Sequence, residues 1–286
     1  MKKTFALLLS LTGLAQAAFV WIGETPITDS SWNDQYNWAI TGNTSFGGND
    51  GHWGGSGPGI PNSNKWDQIT LNNAAGTIST LEGWCIQMKL VSTTLTVQNI
   101  KKFQHGDGGK SQLDIDAASI LTLQGYSGGN DGGGVTLNCE GVFNLAYTKN
   151  QGGEGFAADL GKTGIMNLTS SSGTAYTAKL KSLTATLETE AITGKRSLVI
   201  LGENMSFDNT STAITIQAGD NWQQVNNEQE ARQAAEEGQD SFWVSKEAGG
   251  IFLSWIKGES ESVPEPSTAT LSLLALAALV ARRRRK

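Results

Sequence analysis

The chain has 286 residues, enough for one large domain or two small ones. Asp and Glu outnumber Lys and Arg by 27 to 21. That balance argues against nucleic acid or an anionic lipid surface as a partner of the body. Only two histidines are present, and no HExxH, CxxC, GxSxG or phosphate-cradling loop occurs. No enzyme activity, metal or cofactor is therefore expected.

The first element is an export signal. Met1-Lys2-Lys3 precedes an apolar run from Phe5 to Leu14 and then Ala15-Gln16-Ala17. A charged start, a short apolar stretch and an A-x-A site form a secretory signal peptide, too short to span a bilayer. Residues 1–17 are expected to be removed after Ala17, with Ala15 and Ala17 as the cleavage determinants. The export translocon and signal peptidase are the partners this predicts. Export permits a disulfide. Cys139 continues the apolar alternation Val135, Leu137, Cys139, whereas Cys85 alternates against the apolar side, so their facing argues against a bridge.

Residues 18–92 are rich in tryptophan: Trp21, Trp32, Trp38, Trp53, Trp66 and Trp84 are six of the nine. Indole buries a large apolar area, so most are expected to fill a cap over the first strands. Trp53, in His52-Trp53-Gly54-Gly55, is the candidate for stacking on a glycan.

Residues 93–218 carry a repeat. Ser119-Ile120-Leu121-Thr122-Leu123 recurs as Gly141-Val142-Phe143-Asn144-Leu145 and as Gly164-Ile165-Met166-Asn167-Leu168, at steps of 22 and 23 residues. Leu113 to Ala117 aligns with Val135 to Cys139 at the same step of 22. Weaker copies lie at Thr94 to Val97, Leu183 to Leu187, Leu198 to Leu201 and Ala213 to Ile216. Short strands repeating near this length suit an all-β fold, a right-handed parallel β-helix in which each coil stacks on the last. If the corner register holds, Leu121, Phe143 and Met166 ladder inside and Thr122, Asn144 and Asn167 stand outside; the alternation leaves open which of the two adjacent apolar residues in each copy points inward. The alternative is an antiparallel β-sandwich. Asp114 and Asp116 would share an outward strand face. A polysaccharide-cleaving site needs such paired carboxylates, but the polar half of an alternating strand shows the same spacing. Gly47 to Gly51 and Gly128 to Gly132 are the same Gly-Gly-Asn-Asp-Gly pentapeptide, which reads as turn chemistry and not as a tandem calcium repeat.

Residues 219–258 are expected to close the far end, with a short polar helix from Glu228 to Glu237 and strands at Phe242 to Val244 and Ile251 to Trp255. Residues 259–286 form a tail. It holds the motif Val263-Pro264-Glu265-Pro266-Ser267, an uncharged apolar stretch at 268–281 and the basic cluster Arg282, Arg283, Arg284, Arg285, Lys286. As a transmembrane helix the apolar stretch reaches about 21 Å, short of the ~30 Å hydrocarbon core. The basic cluster belongs on the cytoplasmic side, which places the body outside. Between the two ends stand 14 basic and 26 acidic residues, a body charge near −12.

This tail resembles the PEP-CTERM sorting signal of bacteria, in which Pro-Glu-Pro, one short apolar helix and an Arg cluster follow in order. The segment from Trp32 to Trp38, Gly59-Ile60-Pro61 and Trp66 to Leu71 is similar to the opening of exported β-solenoid proteins with such tails. The resemblance implies an exosortase-type membrane protease as partner and a transient stay in the inner membrane. It also implies delivery to the cell surface or extracellular matrix, where exopolysaccharide is the expected neighbour of a structural or adhesive body.

Overall fold

The computed structural model describes residues 18–41, 68–82, 87–101, 111–126, 134–148, 155–208 and 212–258. These form two compact units. The first comprises 18–189, 195–220 and 245–253, and the second 190–194, 221–244 and 254–258.

The elements in chain order begin with β1 (Ala18–Trp21), the single-turn helix α1 (Asp29–Trp32) and β2 (Trp38–Thr41). There follow β3 (Gln68–Asn72), β4 (Ala75–Ile78), β5 (Leu81–Glu82), β6 (Gln87–Val91), β7 (Thr94–Val97) and β8 (Ile100–Lys101). The repeat region supplies β9 (Ser111–Ile115), β10 (Ile120–Tyr126), β11 (Val135–Cys139), β12 (Val142–Tyr147), β13 (Phe156–Leu160) and β14 (Ile165–Ser170). Then come β15 (Tyr176–Ala178), β16 (Leu180–Thr186), β17 (Thr193–Leu201), β18 (Met205–Phe207) and β19 (Ala213–Gln217). The last elements are β20 (Trp222–Gln224), α2 (Glu228–Glu236), β21 (Asp240–Glu247) and β22 (Gly250–Ile256).

In the first unit, from β3 to β19, the longer strands alternate between two large sheets. One runs β19-β16-β13-β11-β9-β6-β3-β1-β2, and the other contains β17-β14-β12-β10-β7-β4. Neither closes into a barrel. The ladders from β3 to β19 and from β4 to β17 are parallel, which overturns the antiparallel sandwich.

Alternation of apolar and polar residues decides which side chains go inside. Ile69, Met88, Leu113, Leu137, Ala158 and Leu183 stand in register across the first sheet, and all are buried. Leu95, Leu121, Phe143, Met166 and Val199 do the same in the second. Each full-size rung removes an apolar side chain from water, worth about 1.5–3 kcal/mol. The predicted second-sheet registers, Leu121 to Phe143 and Phe143 to Met166, are observed. The predicted first-sheet register is corrected by two residues: Leu113 pairs with Leu137 and Ile115 with Cys139, a step of 24. The extra pair lies in the corner, which takes Asp116 to Ser119 after β9 but only Glu140 and Gly141 after β11. A shift of two leaves every side chain on its face, so the apolar pattern does not reveal it.

In the second unit, β20 pairs in parallel with the first part of β21. The predicted short helix is α2, with Asn227 as its N-cap accepting from Glu230 N at 3.0 Å. Ala231 and Ala235 face a small core with Ile256, against which Val225 and Trp243 pack.

Candidate functional site

The outward positions of the first sheet bring Lys89, Asp114, Asn138 and Asp159 into one row across β6, β9, β11 and β13. With Asp116 and Glu140 they line a shallow furrow of about 340 Å³. Two of its carboxylates, Asp114 and Asp116, are engaged with the scaffold. Asp114 accepts from Gln112 Nε2 at 3.0 Å and from Asn138 Nδ2 at 2.6 Å on the next strand. Asp116 leaves the strand and closes the corner, accepting from Ser92 N, Ala118 N and Ser119 Oγ at 3.1, 3.2 and 2.5 Å. The two aspartates thus hold different parts of the fold instead of converging on one reacting atom. Among the described residues no group of three His, Cys, Asp or Glu side chains could hold a metal ion.

The outward row of the second sheet is a hydrogen-bonded chain. Asn167 Nδ2 donates to Asn144 Oδ1 at 2.7 Å, and Asn144 Nδ2 donates to Thr122 Oγ1 at 3.0 Å. One such bond per strand pair ties β14 to β12 and β12 to β10. A recess of about 380 Å³ elsewhere in the first unit has Leu201, Met205, Phe207 and Ile251 in its walls, with Lys246 and Glu247 beside them.

Two anchoring features, one half-buried and one buried, were not visible in the sequence. The Arg196 guanidinium donates to backbone carbonyls: Gly161, Thr186 and Gly164 accept, at 2.5, 3.1 and 3.2 Å, and so does Lys162. One planar fork ties together the corner before β14 and the end of β16. Burial pulls its pKa below the usual arginine value, with the Cys139 sulfur opposing. Thr93, which is buried, donates to Leu71 O and Val91 O at 3.1 and 2.9 Å and receives nothing but scaffold neighbours. Neither residue stands in a motif, so nothing in the pattern marks it.

Cys139 is buried and free, as its alternation predicts, and its thiol donates to Gly141 O at 3.3 Å. Burial pushes the thiol up to about 11, so it stays protonated and unreactive near neutral pH. Trp21, Trp32 and Trp38 form one buried cluster, with Trp32 and Trp38 edge to face at 4.8 Å. Trp38 Nε1 donates to Trp32 O at 2.8 Å. These three rings spend their faces on one another and on Phe19, leaving none for a sugar. Trp53, Cys85, the signal residues Ala15 and Ala17, the motif at 263–267, the apolar stretch at 268–281 and the cluster at 282–286 lie outside the described residues. Among the described residues no helix is long and apolar enough to cross a membrane.

Fold and surface together define an all-β body of two large, mostly parallel sheets, with outward polar groups such as Asp114 and Asn138, or Asn144 and Asn167, bonded from strand to strand. The end of the chain says where such a body goes. Residues 262–286 match the PEP-CTERM protein-sorting motif. The chain thus carries the signal of an exported protein sorted by exosortase, a membrane protease, which bears out the resemblance read from its tail. No curated protein and no solved structure matches the chain.

Proposed function

We propose that this is a structural or adhesive protein of the cell surface or extracellular matrix, without enzymatic activity. Its body is a right-handed parallel β-solenoid, and exopolysaccharide is its neighbour once delivered. The apolar stretch at 268–281 holds the precursor in the inner membrane until an exosortase-type protease acts near Pro264-Glu265-Pro266. The observation that carries the reading is the PEP-CTERM motif at 262–286. Support comes from Asp114 and Asp116, the best catalytic candidates, both of which are engaged by scaffold donors. A passive body needs no free reactive group.

Intact mass spectrometry of fractionated cells tests the delivery. The surface form should begin at Ala18 and lack Arg282 to Lys286. A surface form that still carries those residues would replace the transient tether by a permanent anchor. Cells lacking the protein should lose matrix cohesion, and the purified body should leave a panel of polysaccharides uncleaved. Cleavage abolished by Asp114→Asn would instead establish an enzyme.

A further inference from the structure

Strand β19 ends the first sheet: it pairs with β16 on one side and, among the described residues, has no strand on the other. The fold does cover an edge elsewhere. At β4, Ile27 N donates to Ala75 O at 2.7 Å and Ile27 O accepts from Thr77 N at 3.0 Å. The usual guards of an open edge are charge, proline and bulges. The run Thr212-Ala213-Ile214-Thr215-Ile216-Gln217-Ala218 has no charge and no proline. Its register with β16 is regular from Ala213 to Gln217. Its interior-facing Ile214 and Ile216 are only half-buried, although the preceding rungs Leu183 and Ala185 are fully buried.

The direction of the backbone groups follows from one bond. Gln217 O accepts from Leu187 N at 2.8 Å, so the Gln217 peptide groups face β16. Groups two residues apart in a strand point the same way, so those of Thr215 and Ala213 also face β16. The N–H and C=O groups of Ile214 and Ile216 therefore point out of the open edge.

We infer that this edge pairs with β19 of a second copy of the chain, antiparallel and about a two-fold axis at Thr215. Ile214-Thr215-Ile216 reads the same in both directions. Ile214 then stands opposite Ile216 of the second copy, twice over, and each such pair exchanges both backbone bonds. Thr215 faces Thr215 as the intervening non-hydrogen-bonded pair, whose Cα atoms lie about 4.5 Å apart. Four hydrogen bonds form, and all four half-exposed isoleucines join one interior ladder. Such an isologous contact closes at two copies and does not grow into a fibre. Charge points to the same place: a body near −12 repels its copy over most of its surface, and this strand carries none of that charge.

The test uses the full-length chain in mild detergent, measured by sedimentation velocity, with Thr215→Lys and Thr215→Glu variants. Residue 215 is exposed, and its peptide groups are committed to β16, so each variant keeps its fold; unchanged thermal unfolding confirms that. The wild type should be dimeric. Each variant alone sets like charges opposite one another and should raise the dimer dissociation constant at least tenfold, a shift of about 1.4 kcal/mol. An equimolar mixture of the two should restore dimers. The inference is overturned by a monomeric wild type, by open-ended polymers, by Thr215→Lys pairing as tightly as the wild type, or by a mixture that stays monomeric. Surface delivery is unaffected by any of these outcomes, so the two proposals fail separately.

Discussion

The corner between β11 and β12 turns on Glu140 and Gly141, and at Gly141 there is no room for a side chain. A Cβ on Gly141 would lie 2.2 Å from Ser119 O and 2.3 Å from Asp116 O, both rigid backbone of the corner below. One coil on, a Cβ on Gly164 would lie 1.9 Å from Cys139 O. The repeat therefore sets glycine where a corner sits directly on the one beneath it. Gly141→Ala should cost about 2–3 kcal/mol, the scale of forced overpacking, read from the midpoint of urea unfolding at unchanged slope. Arg196 works by geometry more than by charge. Lysine keeps the charge but lacks the fork, so Arg196→Lys should cost about 1.5–3 kcal/mol in the same measurement, because several half-buried carbonyls lose their donor. Asp29 contributes to the acid limb of stability. Its carboxylate accepts from Ser79 N at 2.7 Å and from Ser79 Oγ, and these bonds hold its pKa below the ordinary 3.8. A depressed carboxylate contributes in full above its unfolded value, and the contribution is lost as pH falls through the folded one. Melting temperatures taken from pH 6 down to pH 2.5 should therefore fall less in Asp29→Asn than in the wild type, the two curves converging at the acid end. The carboxylate is largely exposed, so the difference will be small.

At the scale of the element, stability comes from rungs. Phe143 is fully buried between Leu121 and Met166 and packs on Phe156 at a ring separation of 5.9 Å. Phe143→Ala should cost about 3–5 kcal/mol by the same denaturant titration, since a rung flanked on both sides cannot collapse into the gap. Asn144→Ala, one residue away but outward, should cost only about 1 kcal/mol. That contrast would confirm which face is core. The rungs also explain what the sequence could tell. The three similar copies that start β10, β12 and β14 were legible because outward Thr, Asn and Asn alternate with Leu, Phe and Met at nearly constant spacing. The two-residue slip between β9 and β11 was not, because alternation has period two and cannot see an even shift. Earlier rungs such as Ile69 and Met88 were illegible as copies. A rung asks only for an apolar side chain of suitable size, so no shared wording survives between coils. The aromatic excess was legible, but burial of Trp21, Trp32 and Trp38 on one another depended on α1 and β2 placing their backbones, which composition does not specify. The clamp by Arg196 required knowing that the corner at 161–164 and the end of β16 meet in space.

For the whole molecule the governing feature is the separation of charge along the chain. Acidic groups dominate the body, whereas the last five residues are all cationic. In the precursor proposed above, the cationic cluster stays on the cytoplasmic side by the positive-inside rule and the body lies outside. The apolar stretch at 268–281 is short for the hydrocarbon core, a mismatch that costs some of its hydrophobic holding, and the flanking charges add to what remains. Each Arg near an anionic leaflet is worth about 1 kcal/mol, so Arg282 to Arg285 together contribute about 4 kcal/mol, roughly a thousandfold in membrane partition. Replacing these four arginines by alanine removes both that attraction and most of the bias that keeps the terminus cytoplasmic. The precursor should then leave the membrane fraction before it is processed, and intact mass should find it at full length, less only the signal peptide, outside the inner membrane. Replacing them by lysine should preserve both retention and processing if charge alone is sensed. If the lysine variant is retained but never cut, the arginines are also read by the protease as guanidinium groups. The comparison therefore separates tethering from recognition within one tail.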